Sequence, residues 1–411
     1  MFAVIKNSHQ LSASIKLLPS FQPKIFTVYL LFLTLVCLGV FWFRLLPKLQ
    51  APQSYQRDFA YFYLMARALK DGTPVYGSPS AFLGKSDRDL SRNIKHASPY
   101  PPAFAVLLGP LGFFSYRSAF LIWIGIETLC FLITSMLLLA HFKPPREQIK
   151  TFLVSAGFIL WWPFFVDLYQ GQMMMLALLL LTGSWLNLRN DRNISGGMLL
   201  GVLLSLKFYG WPILLFLLIS KRYRATLYAV ITFFLLTLIS ILWVGPDQSM
   251  YYVREVAPGI NKIYQSSPLN FSAFAIGSSY FGLIGGVVIW AVCFCAAILM
   301  ASKSRGFDYS FMIMLIVSAI LTPVSWVHYF VTFLPAMCLL VNTVSSSKII
   351  LVGLSTFMAV ADASYFVRFL PFVVVRPLPL LFALLLMCFL TQVLNNRLNV
   401  IVDLDSHERH S

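Results

Sequence analysis

Asp58 stands in the run Tyr55-Gln56-Arg57-Asp58-Phe59-Ala60-Tyr61-Phe62-Tyr63, directly after a long apolar stretch. An aspartate is ordinarily ionised at neutral pH, and an ionised carboxylate is the form a general base requires. A structural reading competes, because an aspartate at a membrane edge also pairs with a neighbour such as Arg57 or caps a helix. Lys207 is the second unusual group, flanked by apolar sequence from Gly201 to Pro212. Ionisable residues inside membrane segments are rare and tend to be functional, and an ammonium there can hold a phosphate as a point charge. The competing reading is a lysine that snorkels to the headgroups.

Smaller signals accompany these two. Asp167-Leu168-Tyr169-Gln170-Gly171-Gln172 sets one carboxylate and two amides in a tight turn. Gln170 and Gln172 carry the donors and acceptors that suit a hydroxyl-rich ligand, although a polar turn capping two helices accounts for the same residues. Tyr100, in Ser98-Pro99-Tyr100-Pro101-Pro102, either lines a pocket or belongs to an aromatic belt. The prolines beside it fit a helix start. Arg254 pairs with Glu255 or with a lipid phosphate, and Asn270 with Ser272 contacts a ligand or caps the next span. His328 lies in uncharged sequence between Trp326 and Tyr329 and reads as a catalyst or as a hydrogen-bonded structural residue. The other histidines, His9, His96, His141, His407 and His410, fall in tails, in a loop or at a span end.

Composition tells what must position these groups. The chain has 411 residues, 59% hydrophobic and 11% charged, against about 25% charged in ordinary soluble domains. Many apolar runs approach the ~20 residues that a spanning helix needs, and backbone in hydrocarbon must satisfy its own hydrogen bonds. The fold class is therefore all-α, a polytopic membrane protein forming a single unit over residues 1–411. Spans are expected near 25–46, 117–141, 151–166, 172–188, 195–207, 210–220, 225–244, 276–301, 308–322, 326–343, 349–366 and 378–394, about twelve in all. The short Pro- and Gly-rich piece at 101–114 is expected to be re-entrant or interfacial.

Charge sets the sides. If 101–114 does not cross, then Lys143, Arg146, Lys150, Arg189, Arg192, Lys221, Arg222, Arg224, Lys303, Arg305 and Lys348 all fall on the N-terminal side, and the short opposite loops 167–171 and 323–325 carry no Lys or Arg. That is the positive-inside pattern. It makes the tails 1–24 and 395–411 cytoplasmic and the long loops 47–100 and 245–275 outer. The candidate residues then converge on the outer face.

The same features exclude other classes. The net charge is +16, but the basic residues sit between apolar runs and suit anionic headgroups, not nucleic acid. All six cysteines lie in apolar runs, and the Cys293/Cys295 pair lacks zinc-site spacing. Lys6, Lys16 and Lys24 precede a run long enough to stay as a first helix, not as a removed signal. A transporter or flippase of a lipid-linked substrate is the alternative, and it calls for midplane charge and repeat symmetry that the sequence lacks.

Taken in order, Asp58 with Gly72-Thr73-Pro74-Val75-Tyr76, Tyr100-Pro101-Pro102, Gly171-Gln172, Lys207 and Pro323-Val324-Ser325-Trp326-Val327-His328-Tyr329 resemble glycosyltransferase family 87. These are polyprenol-phosphate-mannose-dependent mannosyltransferase-like membrane proteins of the GT-C superfamily, and Asp58 resembles their first-loop aspartate. Met173 departs from the pattern, where a polar residue follows the Gly-Gln pair. The resemblance implies inverting transfer of a mannose-like hexose from a polyprenyl-phosphate donor to a lipid or polysaccharide acceptor on the outer face of a bacterial cytoplasmic membrane. It implies Asp58 as general base, His328 beside it or beside the leaving phosphate, and Lys207 or Arg254 against that phosphate's charge. Trp326 and Tyr100 would stack on sugar, with Gln170, Gln172 and Asn270 as further contacts. No cofactor and no protein metal ligands are expected. The expected partners are membrane lipids, the lipid-linked donor and the acceptor. Single cysteines introduced at positions 222 and 71 should be labelled from opposite sides of the membrane; labelling of both from one side would refute the charge-based topology.

Overall fold

The computed structural model describes residues 23–49, 57–77, 96–143, 145–303, 306–343, 380–381 and 383–388. The expected span at 349–366, most of that at 378–394 and nearly all of both tails lie outside the described residues. Among the described residues the chain is helical throughout, without strands. The elements are α1 (Pro23–Val40), extended by a π-helical turn Phe41–Leu45 and Leu46–Leu49; α2 (Arg57–Asp71); α3 (Pro102–Leu108) with a 3-10 extension Gly109–Phe113; and α4 (Tyr116–His141). There follow α5 (Pro145–Leu160), α6 (Trp162–Gln170), α7 (Met174–Arg189), α8 (Asn193–Leu206), α9 (Trp211–Ile219) and α10 (Tyr223–Val244). Last come α11 (Pro246–Tyr251) with a π-helical turn Tyr252–Val256, α12 (Ala257–Gln265), α13 (Ala273–Lys303), α14 (Phe307–Leu321), and a 3-10 segment Val327–Phe333 that leads into α15 (Leu334–Thr343).

The expected count of about twelve spans is not confirmed among the described residues. Among the described residues four helical stretches are long and apolar enough to cross by themselves: Thr27–Leu45, Tyr116–His141, Tyr223–Val244 and Ala273–Ser302. The pair α5 and α6, bent by 53° at Trp161, makes a fifth if it acts as one span. The other apolar helices are shorter. α8 has 14 residues and α9 has 9, about 21 and 14 Å, well under a ~30 Å hydrocarbon layer. Apolar composition marks membrane depth but not length, so both had read as spans.

These two helices instead form a partial hairpin. Arg222 donates to the Leu188 carbonyl at 2.7 Å and pairs with Asp191 at 3.4 Å, so the turns before α8 and after α9 meet at one end of the bundle. A Cβ on Gly197 would strike the Ala225 carbonyl oxygen, and one on Gly201 the Ala229 oxygen. Equal steps along α8 and α10 therefore match, and the two run parallel at backbone contact. Small residues permit that approach, which is how helices associate where lipid is as apolar as leucine. In this register Lys207 lies nine residues short of the end of α10, about 14 Å along the axis. Its loop sits level with the middle part of α10, in a break between two half-helices.

The 101–114 piece is a helix of 7 residues with a 3-10 extension of 5, too short to span a ~30 Å layer alone. It ends beside α2, where Gly112 lies against the Ala66 backbone and the Tyr63 hydroxyl donates to the Phe114 carbonyl at 3.0 Å. The 276–301 span is not one straight helix, because Gly282 has φ 70 and ψ −173 within α13. Gly277 there touches Gly285 and Gly286; residues eight apart in one helix are about 12 Å apart, so the chain folds back at Gly282. The basic turns gather at the end opposite the 101–114 piece. Arg189 pairs with Asp308 at 3.3 Å and contacts His141, and Lys150 donates to the Val341 carbonyl at 3.0 Å. Gly201→Val should force α8 and α10 apart and cost about 1–3 kcal/mol, read as a lower unfolding temperature in detergent; an unchanged temperature would contradict the parallel contact.

Candidate active site

The site begins with a turn. α6 ends at Gly171, whose φ of 64 is left-handed. A Cβ there would sit 2.7 Å from Phe59 Cβ and 2.9 Å from the Phe120 ring. Glycine is needed twice over, for the dihedral and for the close approach of α2. The turn is held by Trp123, whose indole donates at 3.0 Å to both the Gly171 and Gln172 carbonyls, and by the Gln172 amide donating to the Asp167 carbonyl at 2.9 Å.

That anchoring aims the Gln172 side chain. Its Nε2 donates to Asp58 Oδ2 at 2.7 Å, and its Oε1 accepts from the Tyr100 hydroxyl at 2.6 Å. The Tyr100 hydroxyl in turn accepts from Lys207 Nζ at 3.4 Å. One chain of polar contacts thus joins α2, the Gly171 turn, the entry to α3 and the break after α8. Tyr100 is fixed from behind, since the Tyr76 hydroxyl donates to its carbonyl at 2.7 Å and the Tyr76 amide donates to Gln248 Oε1 at 3.0 Å. Lys207 has extended backbone, with φ −157 and ψ 120, and its Nζ lies 4.2 Å from the Tyr329 ring centroid and 5.1 Å from that of Tyr100. Cation–π contact favours an ammonium there.

These groups line a cavity of about 620 Å³, and Gln170, Trp326 and His328 line it too. His328 is buried, and its Nε2 has no hydrogen-bond partner among the described residues. Seven of the nine candidates read from the sequence therefore share one space. Two do not. Arg254 is exposed on the π-helical turn after α11 and is absent from the cavity wall. Asn270 is fully buried behind the wall: its Oδ1 accepts from the Ser272 and Ser325 amides, and its Nδ2 donates to the Tyr264 and Pro323 carbonyls. It splices two loops with every polar atom committed.

Sequence reasoning passed over two groups. His96 lines the cavity, and a carbonyl can only accept, so its Nδ1 donates to the Ala97 carbonyl at 2.7 Å. Nε2 then accepts from the Tyr264 hydroxyl at 2.7 Å, with the Tyr61 hydroxyl 3.2 Å away. Burial lowers the His96 pKa from its ordinary value, against the opposing hydrogen bond to Ala97, so the ring is neutral at pH 7. Glu127 is buried inside α4. The signal for it was plain, a lone acid in the apolar run 117–141. Among the described residues no three His, Cys, Asp or Glu side chains converge as metal ligands.

The described residues thus form a helical membrane protein with a polar chamber walled by a carboxylate, amides, aromatics and a buried ammonium. The model of glycosyltransferase family 87 matches residues 99–325, more than half of the 411 residues. The chain belongs to that family and is a glycosyltransferase. Tyr100, Gln172 and Lys207 fall inside the matched region, whereas Asp58 precedes it and His328 follows it. Comparison with curated proteins and with solved structures finds no match for the chain. Tyr100→Phe removes the hydroxyl between Gln172 and Lys207 and leaves both short of a partner, which costs about 1–3 kcal/mol for such a group; kcat/KM should fall about tenfold or more without loss of folding, and wild-type kcat/KM would show the contact chain to be idle.

Proposed function

We propose that the enzyme moves a mannose-like hexose from a polyprenyl-phosphate donor to a lipid or polysaccharide acceptor, with inversion, in a GT-C type of active site. In this reading the Asp58 end of the bundle faces outward from a bacterial cytoplasmic membrane. Asp58 takes the proton of the acceptor hydroxyl. The freed oxygen attacks the anomeric carbon, the bond from that carbon to the phosphate oxygen breaks, and its electron pair leaves with polyprenyl phosphate. Gln172 orients the Asp58 carboxylate through the 2.7 Å bond. Lys207 stabilises the negative charge that grows on the phosphate, and His328 Nε2 offers a hydrogen bond to the same group. Trp326 and Tyr100 supply rings for sugar faces.

The observation that carries this reading is the shared cavity. A carboxylate stands on one wall and an ammonium on another, linked through Gln172 and Tyr100. An inverting displacement needs a base on one side of the anomeric carbon and charge stabilisation on the other. The depth of Lys207 below the end of α10 also supports a donor that reaches the site from within the bilayer. Asp58→Asn should lower kcat by about 10²–10⁴-fold in detergent-purified enzyme assayed with a radiolabelled polyprenyl-phosphate hexose and a glycolipid acceptor, with the unfolding temperature kept. Full turnover by that variant would dismiss the base assignment, and a nucleotide sugar serving as donor in its place would dismiss the lipid donor.

A further inference from the structure

Beneath the cavity, two acids converge on the start of α7. Glu127 reaches from α4, and its Oε2 accepts from the Met175 and Leu176 amides at 2.9 and 3.3 Å. Asp167 reaches from α6, and its Oδ1 accepts from the Met174 amide at 3.2 Å. Their relative exposures are 1% and 0%. A helix start has free N–H groups and partial positive charge, so capping explains part of this. It does not explain the choice of two carboxylates. A serine, asparagine or glutamine would satisfy the same amides without the cost of burying charge. Each acid, moreover, keeps one buried oxygen, Glu127 Oε1 and Asp167 Oδ2, with no hydrogen-bond partner among the described residues.

Lys207 accounts for the surplus. Its Nζ lies 3.6 Å from the Met174 sulfur, over the same helix start. Asp167, Asp58 and Glu127 all stand within electrostatic reach of it. The groups facing the ammonium are thus Asp58 from α2, Tyr100 ahead of α3, Glu127 from α4, Asp167 from α6, Met174 from α7, and His328 with Tyr329 from the 3-10 segment. A buried ammonium keeps its proton only where negative charge compensates its lost hydration.

We infer that Glu127 is a positioning residue that, as a pair with Asp167, supplies the buried negative charge that keeps Lys207 protonated and seated over the start of α7 to receive the phosphate of the lipid donor. This rests on the donor reading above. Glu127 touches neither sugar nor phosphate, and it acts through the lysine.

The test measures binding of dodecyl phosphate to the full-length protein in detergent across pH. Glu127→Gln keeps an acceptor oxygen for the Met175 and Leu176 amides and removes only the charge. Titration of the probe itself is common to every variant and drops out of the comparison. The alkaline limb of the binding profile should move to lower pH by on the order of one unit, and Asp167→Asn, which keeps the Met174 acceptor, should move it the same way. In a Lys207→Arg background, where the cation cannot lose its proton, Glu127→Gln should produce no shift. An unmoved limb in both acid variants, or an equal shift in the Lys207→Arg background, overturns the inference while leaving the donor reading intact. Wild-type protein that fails to bind the probe overturns both.

Discussion

The bond from Gln172 to Asp58 is the contact on which the cavity depends, and it exists only because Gly171 lets α2 press against the turn. Gln172 is gripped by its backbone, through Trp123 and the Asp167 carbonyl. Its amide therefore cannot rotate away from Asp58 and Tyr100 without breaking a buried contact. Buried polar networks in low dielectric are stiff when complete and costly when broken. This one runs unbroken from Asp58 to Lys207, which fixes the carboxylate and the ammonium in the wall of the same chamber.

The surrounding architecture follows from a second constraint, that backbone at membrane depth must find partners or line a cavity. The chain breaks its helices at Trp161, Gly171, Lys207, Gly282 and after Leu321. Four of these breaks, at Trp161, Gly171, Lys207 and after Leu321, open beside or onto the chamber. Opposite the chamber, Arg189, Asp308, Arg222 and Asp191 tie the turns together in ion pairs. Chemistry and anchoring are thus segregated to the two ends of the bundle. Half-helices that stop short, α8 above all, leave room for the chamber inside an otherwise close-packed set of helices.

Particular residues mark how far the sequence was legible. The membrane class, the helical fold and the gathering of the basic turns at one end could all be read from hydropathy and charge. So could Asp58, Tyr100, Gln170, Gln172, Lys207, Trp326 and His328 as a set, because polar groups in apolar sequence are costly and rarely idle. Arg254 and Asn270 had the right chemical types but the wrong surroundings. One faces away from the wall, and the other is consumed by four backbone partners. His96 was hidden in a polar loop where nothing set it apart, whereas Glu127 carried the same signal as Lys207 and was passed over.

Composition and charge by themselves determined that this chain lives in a bilayer, which of its turns share an end, and which residue types are available for chemistry. Hydropathy is a property of single positions, and it survives without knowledge of contacts. Only the tertiary structure decided that α8 and α9 are half-helices, that α13 folds back at Gly282, and that two acids meet one lysine beneath the cavity. Those outcomes turn on which surfaces approach within van der Waals distance. Glycine contacts such as Gly201 against Ala229, and the left-handed turn at Gly171, set that approach in three dimensions.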